Sequence, residues 1–459
     1  MPHDPVPELL RTATDALAAE FAHLPDYAHA DQSAPEAIAK VLETVAHRLG
    51  DNYPYFHPLY AGQMLKPPHP VARAAYALAM TINPNNHARD GGRASSEMEI
   101  EAVRGIAAMF GWAALSNPRQ EYLGHLTSSG TLANLEALWI AGQLAPGKRI
   151  VASEQAHYTH HRISAVLKLD FTAIAVDAQG RMSLEALETE LRQGHIGTVV
   201  ATLGTTAIGA VDPLDQILKL KEKYGFRVHV DSAYGGYFRL IADSLDVPAR
   251  QAYLASAHAD SIVIDPHKHG LQPYGCGCVL FKDPAVGRFY KHDSPYTYFT
   301  SKQLHLGEIS LECSRAGAAA VALWATQQLL PLVPNGEFAR GLLSGRSAAL
   351  ELDSRLRQDK RFEGLAAGRP ELDIVVWKVA ASDLEQASKD ARSIFAACAA
   401  RDLHLALVQL PLFWFQPEQA PGMGLVNCLR SVLMKPEHAV WLDRIWERLA
   451  AASAEVKGE

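Results

Sequence analysis

The chain has 459 residues, 48% hydrophobic and 20% charged, a balance that suits a folded protein of two or three domains and excludes disorder. Lysine plus arginine number 43 against 50 acidic residues, a formal net charge of −7, so no nucleic-acid partner bound through a broad basic face is expected. The longest apolar runs, such as 316–325, are too short for a bilayer span, the start MPHDPVPELL carries no secretory signal, and five cysteines suggest no disulfide framework; the expectation is a cytoplasmic enzyme without a membrane partner.

The first ninety or so residues read as helices, interrupted by the Pro- and aromatic-rich stretch YPYFHP at 53–58. From about Glu97 to Leu330 short apolar runs alternate with helical stretches. Candidate strands lie at 149–153, 173–176, 198–203, 227–230, 261–264 and 278–281, most of them apolar on consecutive positions, as parallel strands covered on both faces are. Helices fit between them at 132–143, 184–193 and 214–224. This alternation predicts an open α/β sheet whose site lies at the carboxyl ends of its strands. A third section begins near Pro331, with a helix at 339–358, a strand at 373–379, a helix at 383–401 and strand-like sequence at 403–410. The implied organisation is a helical N-terminal segment (1–95), a large α/β domain (96–330) and a small α/β C-terminal domain (331–459).

Several common motifs are missing: no GxxxxGK[ST], no GxGxxG after a strand, no HExxH and no GxSxG. His157, His160 and His161 cluster without acidic or cysteine partners at ligand spacing, so no metal centre is expected. Four segments that follow or end strands carry chemistry instead. In HLTSSGTLAN (125–134), Ser128, Ser129, Gly130 and Thr131 stand where a helix opens, and free N–H groups there favour an anion; a plain N-cap would look the same. In RVHVDSAYGG (227–236), Asp231 directly follows β-type residues, and the small residues after it let a flat group approach; an aspartate capping a turn is the alternative. In SIVIDPHK (261–268), Lys268 lies one turn beyond a buried strand, where desolvation would lower its pKa and suit it to Schiff-base chemistry. In SEQAH (153–157), His157 follows a strand, a position that is more often structural than catalytic when taken alone.

Taken in order along one sheet, these segments resemble the pyridoxal-phosphate-dependent group II amino-acid decarboxylases, of the aminotransferase-like fold-type I class. DPHK at 265–268 and HVDSAYGG at 229–236 carry the likeness, while KHGLQPY (268–274) and CSRAGAAAVALW (313–324) are similar to bacterial tyrosine decarboxylases. The likeness covers roughly residues 57–330. It implies a mostly parallel seven-stranded sheet flanked by helices, the cofactor pyridoxal 5'-phosphate, an amino-acid substrate and a homodimer. It implies further that Lys268 forms the Schiff base, Asp231 pairs with the pyridine nitrogen, His157 stacks on one ring face and Ala233 covers the other. Thr205 would lie at the ring's edge, and Ser128, Ser129, Gly130, Thr131 and His267 would bind the phosphate.

In such enzymes a tyrosine on a loop after the lysine protonates Cα once CO2 has left. The loop would span about 293–307 here, with Tyr296 and Tyr298; the family's usual spacing back from Arg315 lands on Leu304 and His305 instead, so the loop is shifted or Tyr274 is the donor. Loss of that tyrosine would favour an aldehyde product over the amine. For the substrate, Tyr53, Tyr55, Phe56, His57 and Tyr60 favour an aromatic amino acid, whereas Asn83, Arg89 and Arg93 could pair with the side-chain carboxylate of aspartate or glutamate. Aromatic decarboxylation leads; an acidic substrate, an aldehyde synthase and a carbon–carbon lyase remain alternatives.

Overall fold

The computed structural model describes residues 4–27, 33–112, 122–291, 310–418 and 424–458. Its larger sheet has seven strands in the order β1-β7-β6-β5-β4-β2-β3. These are β1 (Leu123–Thr127), β2 (Arg149–Ser153), β3 (Phe171–Ile174), β4 (Ile196–Thr202), β5 (Arg227–Asp231), β6 (Ser261–Ile264) and β7 (Gly277–Phe281). Only β7 runs antiparallel, against β1 on one side and β6 on the other. The five residues of β1, missing from the expected strands, are all buried at the sheet edge.

The strands form where apolar runs can be covered twice. Every residue of β4 is buried, and β6 and β7 are likewise buried throughout. The helices begin and end on local chemistry. Ser183 accepts the Ala186 N–H and starts the helix Leu184–Gln193. Gly225, at φ 71°, stops the helix Leu214–Tyr224 in the left-handed conformation that side-chain-bearing residues avoid. His69 Nδ1 accepts the Val71 N–H where Pro70 opens the helix Pro70–Met80.

A second sheet, β10-β11-β9-β8, is antiparallel: β8 (Phe362–Gly364), β9 (Ile374–Val379), β10 (Ala406–Pro411) and β11 (Leu425–Val432). It packs with the helices Glu337–Gln358, Leu384–Ala399 and His438–Lys457 around a core of its own. The expected strand-like stretch 403–410 corresponds to β10; β11 and the last helix were not anticipated. From β11, the Arg430 guanidinium donates to the carbonyls of Thr206 (2.7 Å) and Ala207 (3.0 Å), beyond the end of β4, and to that of Gly62 (3.2 Å) in the N-terminal segment. It thereby fixes the loop that follows β4.

Candidate active site

The sheet topology brings the carboxyl ends of β1, β2, β4, β5 and β6 to one edge, where a cleft opens. Eight of the expected residues line it: Ser129, Gly130, Thr131, His157, Asp231, Ala233, His267 and Lys268. Asn134, Thr159, Thr202, Gly204, Thr206, Tyr234 and Asp265 complete the wall.

At one end the helix Gly130–Leu144 points its N-terminus at the cleft, with the Ser129 side chain capping the Leu132 N–H. Gly130 is required by proximity, since a Cβ there would lie 2.5 Å from both carboxylate oxygens of Asp265. Asp265 Oδ2 stands 3.1 Å from Lys268 Nζ and 3.5 Å from His267 Nε2. His267 is held by its Nδ1, 2.8 Å from the Cys276 carbonyl. Burial pushes the His267 imidazole below its ordinary pKa, with Asp265 opposing.

At the other end Asp231 is buried at the tip of β5. Its Oδ1 accepts the Ala233 N–H at 3.1 Å, and its Oδ2 lies 2.7 Å from His160 Nε2. Burial alone would raise its pKa, but the hydrogen bond with His160, the neighbouring imidazole of His229 and the Ala233 N–H hold the carboxyl well below the usual range. The cleft therefore contains a carboxylate that stays anionic throughout the neutral range. His157 stands between the two ends, its Nδ1 2.9 Å from Thr159 Oγ1, and burial lowers its pKa.

The remaining expected residues lie elsewhere. Ser128 is exposed and donates its N–H to Glu312 Oε2 at 2.9 Å, outside the cleft lining. Thr205 is fully buried behind the wall, its hydroxyl accepting the Ala210 N–H at 3.0 Å; its neighbours Gly204 and Thr206 face the cleft instead. Tyr274 is 57% exposed beside the cleft, stacked on His267 with ring centres 4.8 Å apart, its hydroxyl donating to the Met64 carbonyl at 3.3 Å. His57 packs edge-on against Trp441, and Tyr60 is buried beside Tyr55, its carbonyl accepting from Lys435. Asn83 lies exposed just beyond the helix Pro70–Met80, and Arg89 is ion-paired with Glu97 at 2.5 Å. None of these four lines the cleft. Tyr296 and Tyr298 fall outside the described residues.

Sequence reading also missed the support behind the wall. Arg315 donates to Glu99 Oε1 (2.5 Å) and to the carbonyls of Leu126 (2.8 Å) and Asn86 (2.9 Å). Glu99 in turn accepts from Asn86 and from the Leu126 N–H. This buried network ties the helices Arg93–Met109 and Gly317–Leu329 to β1, just ahead of the Ser129–Thr131 helix start.

The residues present fit pyridoxal phosphate. An anionic carboxylate, a partly exposed lysine amine and an open helix N-terminus converge on one cleft. Two buried oxygens in its wall, Thr202 Oγ1 and Asp265 Oδ1, have no hydrogen-bond partner among the described residues.

This combination of mostly parallel sheet and lysine–aspartate cleft defines a fold-type I pyridoxal-phosphate enzyme. The chain belongs to the pyridoxal-dependent decarboxylase family, whose conserved domain matches residues 25–380, and it is a pyridoxal-phosphate-dependent carboxy-lyase acting on an amino acid. It is 28% identical over 470 residues to the L-tyrosine decarboxylase of Enterococcus faecium, covering 77% of this chain and 75% of that one. It is 30% identical over 235 residues to the aspartate 1-decarboxylase of Aliivibrio fischeri, covering 43% of this chain and 41% of that one. In fold it is similar to Oryza sativa TDC crystallised with PLP and tryptamine, with a TM-score of 0.78, 19% identity and 99% of each chain covered. Rhodiola rosea 4-hydroxyphenylacetaldehyde synthase matches with a TM-score of 0.74, also at 19% identity, with 98% of this chain and 96% of that one covered.

Proposed function

We propose that the protein decarboxylates an aromatic L-amino acid to its amine, with Lys268 holding the cofactor through its amine and Asp231 facing the pyridine nitrogen. His157 and Ala233 cover the two ring faces, and Ser129, Gly130, Thr131 and His267 take the phosphate. The observation that carries this reading is the convergence of Lys268, anionic Asp231 and the Gly130 helix start on one cleft. When bound, pyridoxal phosphate supplies a ring that takes up the electron pair released as a Cα bond of the substrate breaks. The chain's own residues then choose which bond breaks, by orienting the substrate against that ring.

The substrate reading rests on two facts. Arg89 is engaged by Glu97, so it is not free to receive a side-chain carboxylate. Tyr53, Tyr55, Tyr60 and His404 form an aromatic cluster, with Tyr55 and Tyr60 centred 4.9 Å apart, and the tyrosine decarboxylase of Enterococcus faecium matches most of the chain. Tyr274 is the proton donor in this reading. Burial pushes its hydroxyl up to about 12, so it carries its proton throughout neutral pH.

The protein acts as a cytoplasmic homodimer. The helix Pro35–Leu49 buries none of its residues, and Ile38, Val41, Leu42, Val45 and Leu49 form one exposed apolar stripe at helical spacing. The five cysteines are free, four of them buried, which suits a reducing compartment.

The test is a product profile. Protein saturated with pyridoxal phosphate is incubated in air with a mixture of L-amino acids and analysed by mass spectrometry. An aromatic amine supports the reading. An aromatic aldehyde with ammonia and peroxide overturns the amine product, β-alanine or γ-aminobutyrate overturns the aromatic substrate, and no product overturns both.

A further inference from the structure

Asp231 has a neighbour that none of the roles above uses. His160 lies in the first turn of the helix Thr159–Val166, three residues beyond His157, and is fully buried. Its Nε2 is 2.7 Å from Asp231 Oδ2, while the Ala233 N–H holds Oδ1. Its other ring nitrogen, Nδ1, is buried with no partner among the described residues. A proton on Nδ1 would leave a buried donor unsatisfied, which is costly. The surroundings therefore select the tautomer with its proton on Nε2, donated to the carboxylate.

His229 does not compete for this place. It is committed at both nitrogens, with Nε2 2.8 Å from Asn134 Oδ1 and Nδ1 2.8 Å from Ser261 Oγ. Its ring stands edge-on to that of His160, with centres 6.3 Å apart.

We propose that His160 is a positioning residue for the decarboxylation: its Nε2–H locks the Asp231 carboxylate in the orientation and anionic state that meet the pyridine nitrogen. One hydrogen bond, from Ala233, fixes one oxygen but leaves the carboxylate plane free to turn about it. The second, from His160, fixes the plane. A buried carboxylate without that donor would turn or take up a proton, and either change weakens its hold on the ring nitrogen. The inference rests on the assignment of Asp231 made above.

The test titrates cofactor-free protein with pyridoxal phosphate, following absorbance and tryptophan fluorescence, for His160→Leu, His160→Gln, Asp231→Asn and the double variant His160→Leu/Asp231→Asn. His160→Leu is expected to bind the cofactor about tenfold more weakly, as the loss of one hydrogen bond to a charged group would give. It also moves the pH at which the visible band of the bound cofactor changes. His160→Gln, which keeps an N–H donor, recovers affinity, and His160→Leu adds little once Asp231 is already asparagine. Wild-type affinity and band profile in His160→Leu would overturn the proposal, and so would an equal loss in the Asp231→Asn background, which would mean packing alone. If His160→Leu does not fold, His160→Asn takes its place: too short to reach the carboxylate, it must bind more weakly than His160→Gln, and equal binding overturns the proposal. Unchanged cofactor affinity in Asp231→Asn would overturn the Asp231 assignment instead, so the two failures are distinguishable.

Discussion

Glu371 offers a measurement of what this fold spends on placing a carboxylate at the junction of its two sheets. Its Oε2 accepts the Val211 N–H at 2.7 Å, its Oε1 is 3.7 Å from Arg181, and the side chain is 20% exposed. Burial pushes its pKa up to about 7, with the Val211 N–H and Arg181 opposing and Asp177 and Asp212 adding repulsion. Because the folded value lies above the unfolded one, the native state binds more protons. The group's contribution is complete below about pH 4.5 and is lost as pH rises through 7. At about 1.4 kcal/mol for each pH unit the interval is worth roughly 3 kcal/mol, which partial exposure lowers to about 2. Glu371→Gln keeps the acceptor for Val211 and removes the charge. Urea unfolding at pH 5 and pH 8 should therefore find the variant more stable than wild type, with the gain about 2 kcal/mol larger at pH 8. A gain that is equal at the two pH values, or a loss at both, would refute the reasoning.

Arg315→Met should destabilise the protein by about 3–5 kcal/mol, because it leaves Glu99 buried without its cation. Arg315 helps to hold the Glu99 carboxyl below its ordinary pKa against burial, so the loss should be larger at pH 8 than at pH 5 in the same unfolding assay. Gly130→Ala should lower cofactor affinity, measured by titration, by about 1–3 kcal/mol, since its Cβ would collide with the Asp265 carboxylate. Tyr274→Phe should change unfolding free energy by less than about 0.5 kcal/mol, because the side chain is mostly exposed. It should nonetheless slow amine formation by about a hundredfold and raise the aldehyde fraction, both read by mass spectrometry.

What could be read from the sequence was what neighbouring residues decide among themselves. The helices Leu184–Gln193 and Leu214–Tyr224 and the strand Ser261–Ile264 fall where the sequence puts them, because apolar periodicity and capping residues are local. β3 begins two residues earlier than expected, at Phe171, since its pairing with Ile150 on β2 sets its start. β1 and β11 were missed for another reason, as each carries polar residues that the fold satisfies from far away. In β1, the Leu126 N–H and carbonyl are taken by Glu99 and Arg315, which lie 27 and 189 residues away, and His125 lies buried with its Nε2 2.8 Å from Glu136. Arg430 in β11 spends its donors on carbonyls more than two hundred residues distant. A buried polar side chain with a remote partner reads, in sequence, like a loop.

The site divides along the same line. That Asp231, His157 and Lys268 share the cleft was legible because each ends or follows a strand, and the ends of parallel strands share an edge. Contacts that depend on strand order were not. β7 runs back between β6 and β1, so Gly277 enters the sheet where Thr127 leaves it. A Cβ at 277 would lie 2.6 Å from both the Ser129 carbonyl carbon and Thr127 Oγ1, and one at 130 would strike Asp265. Two glycines 147 positions apart thus make room for the same helix start, and each is intelligible only once β1, β7 and β6 are known to be neighbours. The same holds for His160, which reads as one of three clustered histidines until β5 brings Asp231 to its Nε2. The residues that line the cleft announce themselves by position along the chain, and those that hold them in place are found only through the topology.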